Sequence, residues 1–194
     1  MKKVADYLTD YIYKKESIKE EDYPIYNYGF QFGLELGFCL LICFIISAIM
    51  NAICEGIIAW GIFLYVRSYA GGIHLKKYRN CLICSCIVFT TLLILNSWKT
   101  LNCNISLYLS CLCVFIIAIC SSIKTNNVDQ KELNYFRSKL IKRLVLIEFI
   151  AVAFYVYRFS IVLSMISYSL SAITISVIIQ YINICRMDYT KDRC

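Results

Sequence analysis

With 194 residues, 60% of them hydrophobic, 17% charged and a single proline, the chain is long enough for one domain and too apolar to be disordered or an ordinary water-soluble protein. Its 20 Lys and Arg exceed its 13 Asp and Glu by 7, but the excess lies between apolar runs, where it bears on orientation in a bilayer and not on nucleic acid. The twelve cysteines do not read as a disulfide scaffold: Cys39, Cys43, Cys84, Cys86, Cys111, Cys113 and Cys120 fall inside apolar runs, where a reduced thiol behaves as a small hydrophobe.

Residues 1–28 mix five lysines with six acids. They have neither an uninterrupted apolar core nor a small-residue cleavage site, so no signal peptide is expected. Val4, Tyr7, Leu8, Tyr11 and Ile12 recur at helical spacing, which predicts an amphipathic helix, either lying on the membrane surface or packed on the rest of the protein. Apolar runs follow at 32–50, 53–66, 82–98, 105–123, 144–157 and 161–185, six candidate spans. Of the basic residues, 18 precede the first run, lie in 67–79 or 124–143, or follow the last run, against 2 (Lys99 and Arg158) in the alternate segments. The positive-inside rule therefore places both termini in the cytoplasm.

The expected fold is all-α: a polytopic integral membrane protein with about six transmembrane helices and an N-terminal amphipathic interfacial helix. It reads as one domain over 1–194, with an interfacial segment 1–28, a transmembrane bundle 32–185 and a cytoplasmic tail 186–194. Runs 53–66 and 144–157 would reach only about 21 Å as helices against a hydrocarbon core of about 30 Å. Each must borrow flanking residues or be re-entrant around a wet cavity. Gly29, Gly33 and Gly37 form a smooth stripe, and Ser160, Ser164, Ser167 and Ser171 another. Such stripes let a second helix approach closely, within the chain or from a second copy.

Chemistry concentrates in Arg67-Ser-Tyr-Ala-Gly71-Gly72-Ile-His74-Leu-Lys76-Lys77-Tyr-Arg79-Asn-Cys81, which holds the only histidine. A cysteine nucleophile needs a base for its proton and a positive field for its thiolate. Here the Cys81 thiol follows His74 by seven residues among Arg67, Lys76, Lys77 and Arg79, surroundings that lower a thiol pKa. On one straight helix seven residues rise about 10.5 Å, too far for the roughly 3 Å contact of base and nucleophile. The chain must therefore break between them or just before. Gly71-Gly72 suits that break and offers N–H groups for an oxyanion hole; alternatively it caps the preceding helix.

The order Arg-x2-Ala-Gly-Gly-x-His-x6-Cys, between two spans of a six-span chain of this length, resembles the accessory gene regulator B (AgrB) family. That resemblance implies a membrane-embedded cysteine endopeptidase that processes the precursor of a quorum-sensing autoinducer peptide. Cys81 would be the nucleophile and His74 the base, with Arg67, Gly71 and Gly72 as supporting motif positions. The family's Gly-x-Gln or Gly-x-Glu near the first span is matched by Gly29-Phe30-Gln31, so Gln31 would orient His74 or donate to the oxyanion, although Gly33-Leu34-Glu35 fits as well. Leu140-Ile141-Lys142-Arg143 also looks familial. The preceding loop departs from the pattern, lacking proline and carrying Asp129 and Glu132, which bears on which precursor is recognised.

The implied partner is a small precursor peptide with an amphipathic leader and an acidic tail, attracted by Lys76, Lys77, Arg79, Lys142 and Arg143 at the inner face. The lipid bilayer and a possible homodimer complete the expected partners. Neither a cofactor, a metal nor a nucleic acid is implied, and the expected location is the bacterial cell membrane, multi-pass, with the active site facing the cytoplasm. Two other readings compete. A thiol metal site from His74, Cys81, Cys84 and Cys86 is disfavoured because Cys86 points about 140° away from Cys81. A non-catalytic transporter or peptide exporter would need ionisable groups within its spans, where Glu35 and Glu148 stand out, the latter placed to pair with Arg143.

Overall fold

The computed structural model describes residues 2–15, 19–70, 78–120 and 130–191. Side chains at 67, 70, 78–81, 130–133, 184, 185 and 187–191 lie outside what is described. Among the described residues there are seven α-helices, one 3₁₀ turn (Glu20–Asp22) and no strand. The helices are α1 (Lys2–Lys14), α2 (Tyr23–Ile49), α3 (Ile53–Ala70), α4 (Tyr78–Trp98), α5 (Cys103–Cys120), α6 (Gln130–Val156) and α7 (Ser160–Lys191).

Each apolar run falls, as far as it is described, largely within its own helix, and most of the helices begin before their runs. α2 begins at Tyr23, with Pro24 in its first turn, where the missing N–H costs nothing. The first long helix therefore starts inside the segment expected to be interfacial. α3 and α6 borrow flanking residues to reach 18 and 27 residues, about 27 and 40 Å. α7 carries its helix on to Lys191, into the stretch expected to be a tail. Among the described residues three stretches, 20–49, 103–120 and 160–183, are long and apolar enough to cross a membrane, while Ile53–Val66 and Leu82–Trp98 are shorter apolar helices. Large apolar side chains such as Phe44, Ile57, Ile87, Phe115 and Phe149 stand exposed along the outer faces of the bundle, a surface suited to lipid and costly in water.

Helices pack in alternating directions, as cross-helix pairs whose numbers run in opposite senses attest. Asn104 with Tyr155 and Ser110 with Glu148 join α5 to α6. Tyr65 with Arg143 and Tyr69 with Phe136 join α3 to α6. The connections after α2 and α6 are tight: Asn51 and Arg158 adopt left-handed backbone (φ 53° and 57°), and bonds from Ala52 N to Ser47 O and Phe159 N to Phe154 O close the helices. These turns and 99–102 share one end of the bundle. The starts of α2, α4 and α6 and the ends of α3, α5 and α7 share the other.

α7 is the axial helix. Leu163, Ile166, Leu170 and Ile173 join Val66, Cys113, Ile117, Leu140, Leu144 and Ile147 in one core, whereas Met165 faces a second core with Cys39, Cys43, Ala59, Phe89 and Leu93. Its small hydroxyl residues are what let neighbours approach: Ser164 and Ser167 are buried, Ser164 bonds Asn96 of α4, and Ser171 contacts the Cys113 sulfur at 3.5 Å. The serine stripe thus packs within the chain. The glycine stripe on α2 does not, since a methyl added at Gly29, Gly33 or Gly37 would meet nothing within 4 Å.

α1 packs on α2 through its small residues Ala5 and Thr9, and Tyr23 and Asn27 of α2 donate hydrogen bonds to Asp10 (2.6 Å) and Asp6 (2.8 Å). Val4, Tyr7 and Tyr11 stay exposed along the outer side of α1.

Candidate active site at the α3–α4 end

Residues 71–77 join the end of α3 to the start of α4, so Gly71, Gly72, His74, Lys76 and Lys77 lie outside the described residues, as do the side chains of Arg67, Arg79 and Cys81. The frame around them is described. α3 runs to Ala70 and α4 from Tyr78, one on either side of this segment, and the chain break expected there lies outside the described residues. The Cys81 backbone is in the first turn of α4, where the positive end of the helix dipole favours an anion.

The end of α3 is held by Arg143 of α6. Its Nη1 donates to the Tyr65 carbonyl (2.6 Å) and to Ser68 Oγ (2.8 Å), and the guanidinium lies 4.4 Å and 4.0 Å from the Tyr65 and Tyr69 ring centroids. A cation there complements the negative end of α3 and adds cation–π attraction from two rings one helical turn apart. Phe136 packs on Tyr69 from the same face of α6, 6.0 Å between centroids. Sequence reading singled out Arg143 for its charge and missed Tyr65, Ser68 and Tyr69. The signal available was two tyrosines four apart in the last turns before the Gly-Gly pair. Lys142 beside it is exposed.

Gln31 and Glu35, the two candidates for the family's polar position on α2, prove to be one unit: Gln31 Nε2 donates to Glu35 Oε1 at 3.1 Å, both half-buried. Glu148 does not pair with Arg143, contrary to expectation. It accepts from Ser110 Oγ (3.0 Å) and the Cys111 thiol (2.8 Å) of α5, and its Oε2 is buried without a partner. The reason is geometric: five residues along a helix turn Glu148 some 140° from Arg143, toward α5 and not α3. Glu55, overlooked beside Glu35 and Glu148, also lies within an apolar run, in the first turn of α3.

An apolar cavity of about 240 Å³ lies among α3, α4 and α7, lined by Trp60, Phe63, Ser85, Phe89, Ala172 and Ile179 among others. Its α4 wall starts at Cys84 and Ser85, about 4.5–6 Å of helix rise beyond Cys81. Cys84 and Cys86 part company as their spacing demands, Cys84 exposed and Cys86 half-buried toward α2. One group of metal-ligating side chains comes together among the described residues: Cys39, Cys43 and Cys86, their sulfurs within 4.8 Å of one another.

A family model described as accessory gene regulator B matches residues 5–184. No curated protein and no solved structure matches the chain. The match covers nearly the whole helical bundle, the docked N-terminal helix included, so this membrane protein belongs to the accessory gene regulator B family, whose members take part in processing the autoinducer peptides of quorum sensing.

Proposed function

We propose that this protein is a membrane cysteine endopeptidase that removes the acidic C-terminal tail of an autoinducer precursor through an acyl-enzyme on Cys81. The observation that carries this reading is the Arg67…Gly71-Gly72-x-His74-x6-Cys81 motif, lying in a family-matched chain across the junction of two helices, with Cys81 in the first turn of the second.

In this reading His74 takes the Cys81 proton as the sulfur attacks the carbonyl before the tail. Backbone N–H groups at Gly71-Gly72, aided by Gln31, receive the oxyanion. His74 then protonates the departing amine and a thioester remains on Cys81. An internal thiol or hydroxyl of the precursor attacks that thioester, freeing Cys81 and leaving a thiolactone or lactone ring. The apolar cavity beside Ser85 and Phe89 would take an apolar side chain of the precursor and exclude water from the intermediate.

The six helices α2 to α7 cross the membrane in this reading, with the connections that hold 18 of the 20 basic residues in the cytoplasm. Support comes from aromatic residues exposed near both ends, Trp98, Tyr108 and Tyr157 by the short turns and Tyr7, Tyr26, Tyr28 and Tyr135 at the opposite end. The basic end would attract the acidic tail, and the exposed row Val4, Tyr7 and Tyr11 would rest on the lipid interface. The test is co-expression with a small acidic-tailed precursor and mass measurement of the product. Cys81→Ala and His74→Ala are expected to leave the tail attached, whereas Cys54→Ala at the far end of α3 processes as the parent does; parental cleavage by Cys81→Ala would refute the mechanism.

A further inference from the structure

Cys39 and Cys43 lie one helical turn apart on α2, and Cys86 reaches them from α4. Their three sulfurs lie within 4.8 Å of one another. A metal–thiolate bond of about 2.3 Å places three sulfurs around one ion about 4 Å apart, so less than an ångström of closure converts this cluster into a coordination sphere. No fourth Cys, His, Asp or Glu joins the group among the described residues. That disfavours zinc, which takes four ligands in closed sites.

The surroundings choose further. Cys39 and Cys43 are buried, and the walls are Ala59, Phe89, Leu93 and Met165. Apart from the Ser47 hydroxyl, which donates to the Cys43 carbonyl, this lining is apolar and repels hard, hydrated cations, while thiolates select soft ones. Trp60 packs against the same cluster, and its Nε1 is buried without a hydrogen-bond partner. Buried N–H groups without acceptors are rare. A coordinated thiolate, carrying negative charge, would give this donor its acceptor.

We propose that Cys39, Cys43 and Cys86 form a three-sulfur site for a soft monovalent metal ion, Cu(I), that staples α2 to α4. Each thiol that coordinates gives up its proton, and the metal keeps its oxidation state throughout. The site stands apart from the proposed peptidase chemistry, because Cys86 lies about 7.5 Å of helix rise beyond Cys81. Occupancy fixes α4 against α2, the helix that carries the Gln31–Glu35 pair.

The test uses the full chain purified in detergent under reductant, with Cu(I) offered from a chromophoric Cu(I) chelator. Because other thiols are present, the readout is the difference between the parent and single variants. The parent is expected to withdraw one equivalent that Cys39→Ser, Cys43→Ser and Cys86→Ser each bind at least 100-fold more weakly, while Cys54→Ser withdraws it unchanged. X-ray absorption of the loaded protein is expected to show three sulfur neighbours at about 2.3 Å. Thermal unfolding without metal separates lost ligands from lost folding: Cys86→Ser, at the half-buried position, is expected to melt with the parent when both are metal-free and below it when both are loaded. Equal Cu(I) uptake by parent and variants, tighter binding of Zn(II) than of Cu(I), or a mass deficit showing a disulfide among these three cysteines overturns the proposal. Loss of precursor cleavage by Cys81→Ala leaves it untouched.

Discussion

Arg143 shows how one side chain can hold the end of a neighbouring helix through several contacts at once. Its fork reaches a backbone carbonyl and a hydroxyl of α3 while its plane stacks on two tyrosines, a combination that a lysine ammonium cannot reproduce. Arg143→Ala is expected to lower precursor processing about tenfold, the equivalent of about 1.4 kcal/mol, with membrane levels retained; Arg143→Lys should restore only part of it. Equal processing by the Ala variant would show that the end of α3 needs no such clamp. Glycines offer a second contrast. A methyl on Gly56 would run into the Ser47 side chain and come within 3.3 Å of Phe89, so Gly56→Ala should cost about 1–3 kcal/mol by overpacking. Gly33 has open space around it, and Gly33→Ala should raise stability by up to about 1 kcal/mol through helix propensity. Thermal unfolding in detergent reads both, and the opposite signs are the point of the comparison.

At the scale of elements, the two small-residue stripes look alike in the sequence and part in the structure. The serines of α7 are used internally because that helix is enclosed by neighbours on most sides, and each hydroxyl can bond back to its own helix, as Ser167 does to the Ser164 carbonyl at 2.8 Å. The glycines of α2 face outward because that helix lies at the margin, where only α1 covers its first turns. Ser164 also ties α7 to Asn96 of α4. Ser164→Ala is expected to cost roughly 0.6 kcal/mol, the average for a hydrogen bond between membrane helices; Asn96→Ala tests the same bond from the other side, and the double variant should cost less than the sum of the two. Additive losses in that unfolding cycle would mean that the two side chains are not coupled.

For the molecule as a whole, the strongest expectation concerns the charge asymmetry. Alternating helices gather the short turns at one end and the long basic connections at the other. A cysteine introduced at Lys99 should react with an impermeant maleimide in intact cells, and one introduced at Arg137 only after permeabilisation, each in a background without exposed native cysteines. Reversed labelling would invert the proposed orientation and remove the attraction for an acidic tail from the inner face.

Much of this was legible in the chain itself. Apolar runs and their flanking charges determine six helices and which ends belong together, because burial of backbone in lipid leaves the helix as the only open-chain solution. The Gly-Gly, His and Cys spacing directs attention to the segment between α3 and α4, because a nucleophile and its base cannot meet along a straight helix of that length. Helix ends were less legible: α2, α3, α6 and α7 all run past their apolar runs, since amphipathic flanks continue a helix without any change in hydropathy. What only the tertiary structure decided is which faces meet. Composition could not tell that Arg143 clamps α3 while Glu148 turns to α5, that one small-residue stripe is filled and the other open, or that Cys86 joins Cys39 and Cys43 across two helices. Such partners are set by the rotation of each helix about its own axis, which emerges only when all the neighbours pack at once.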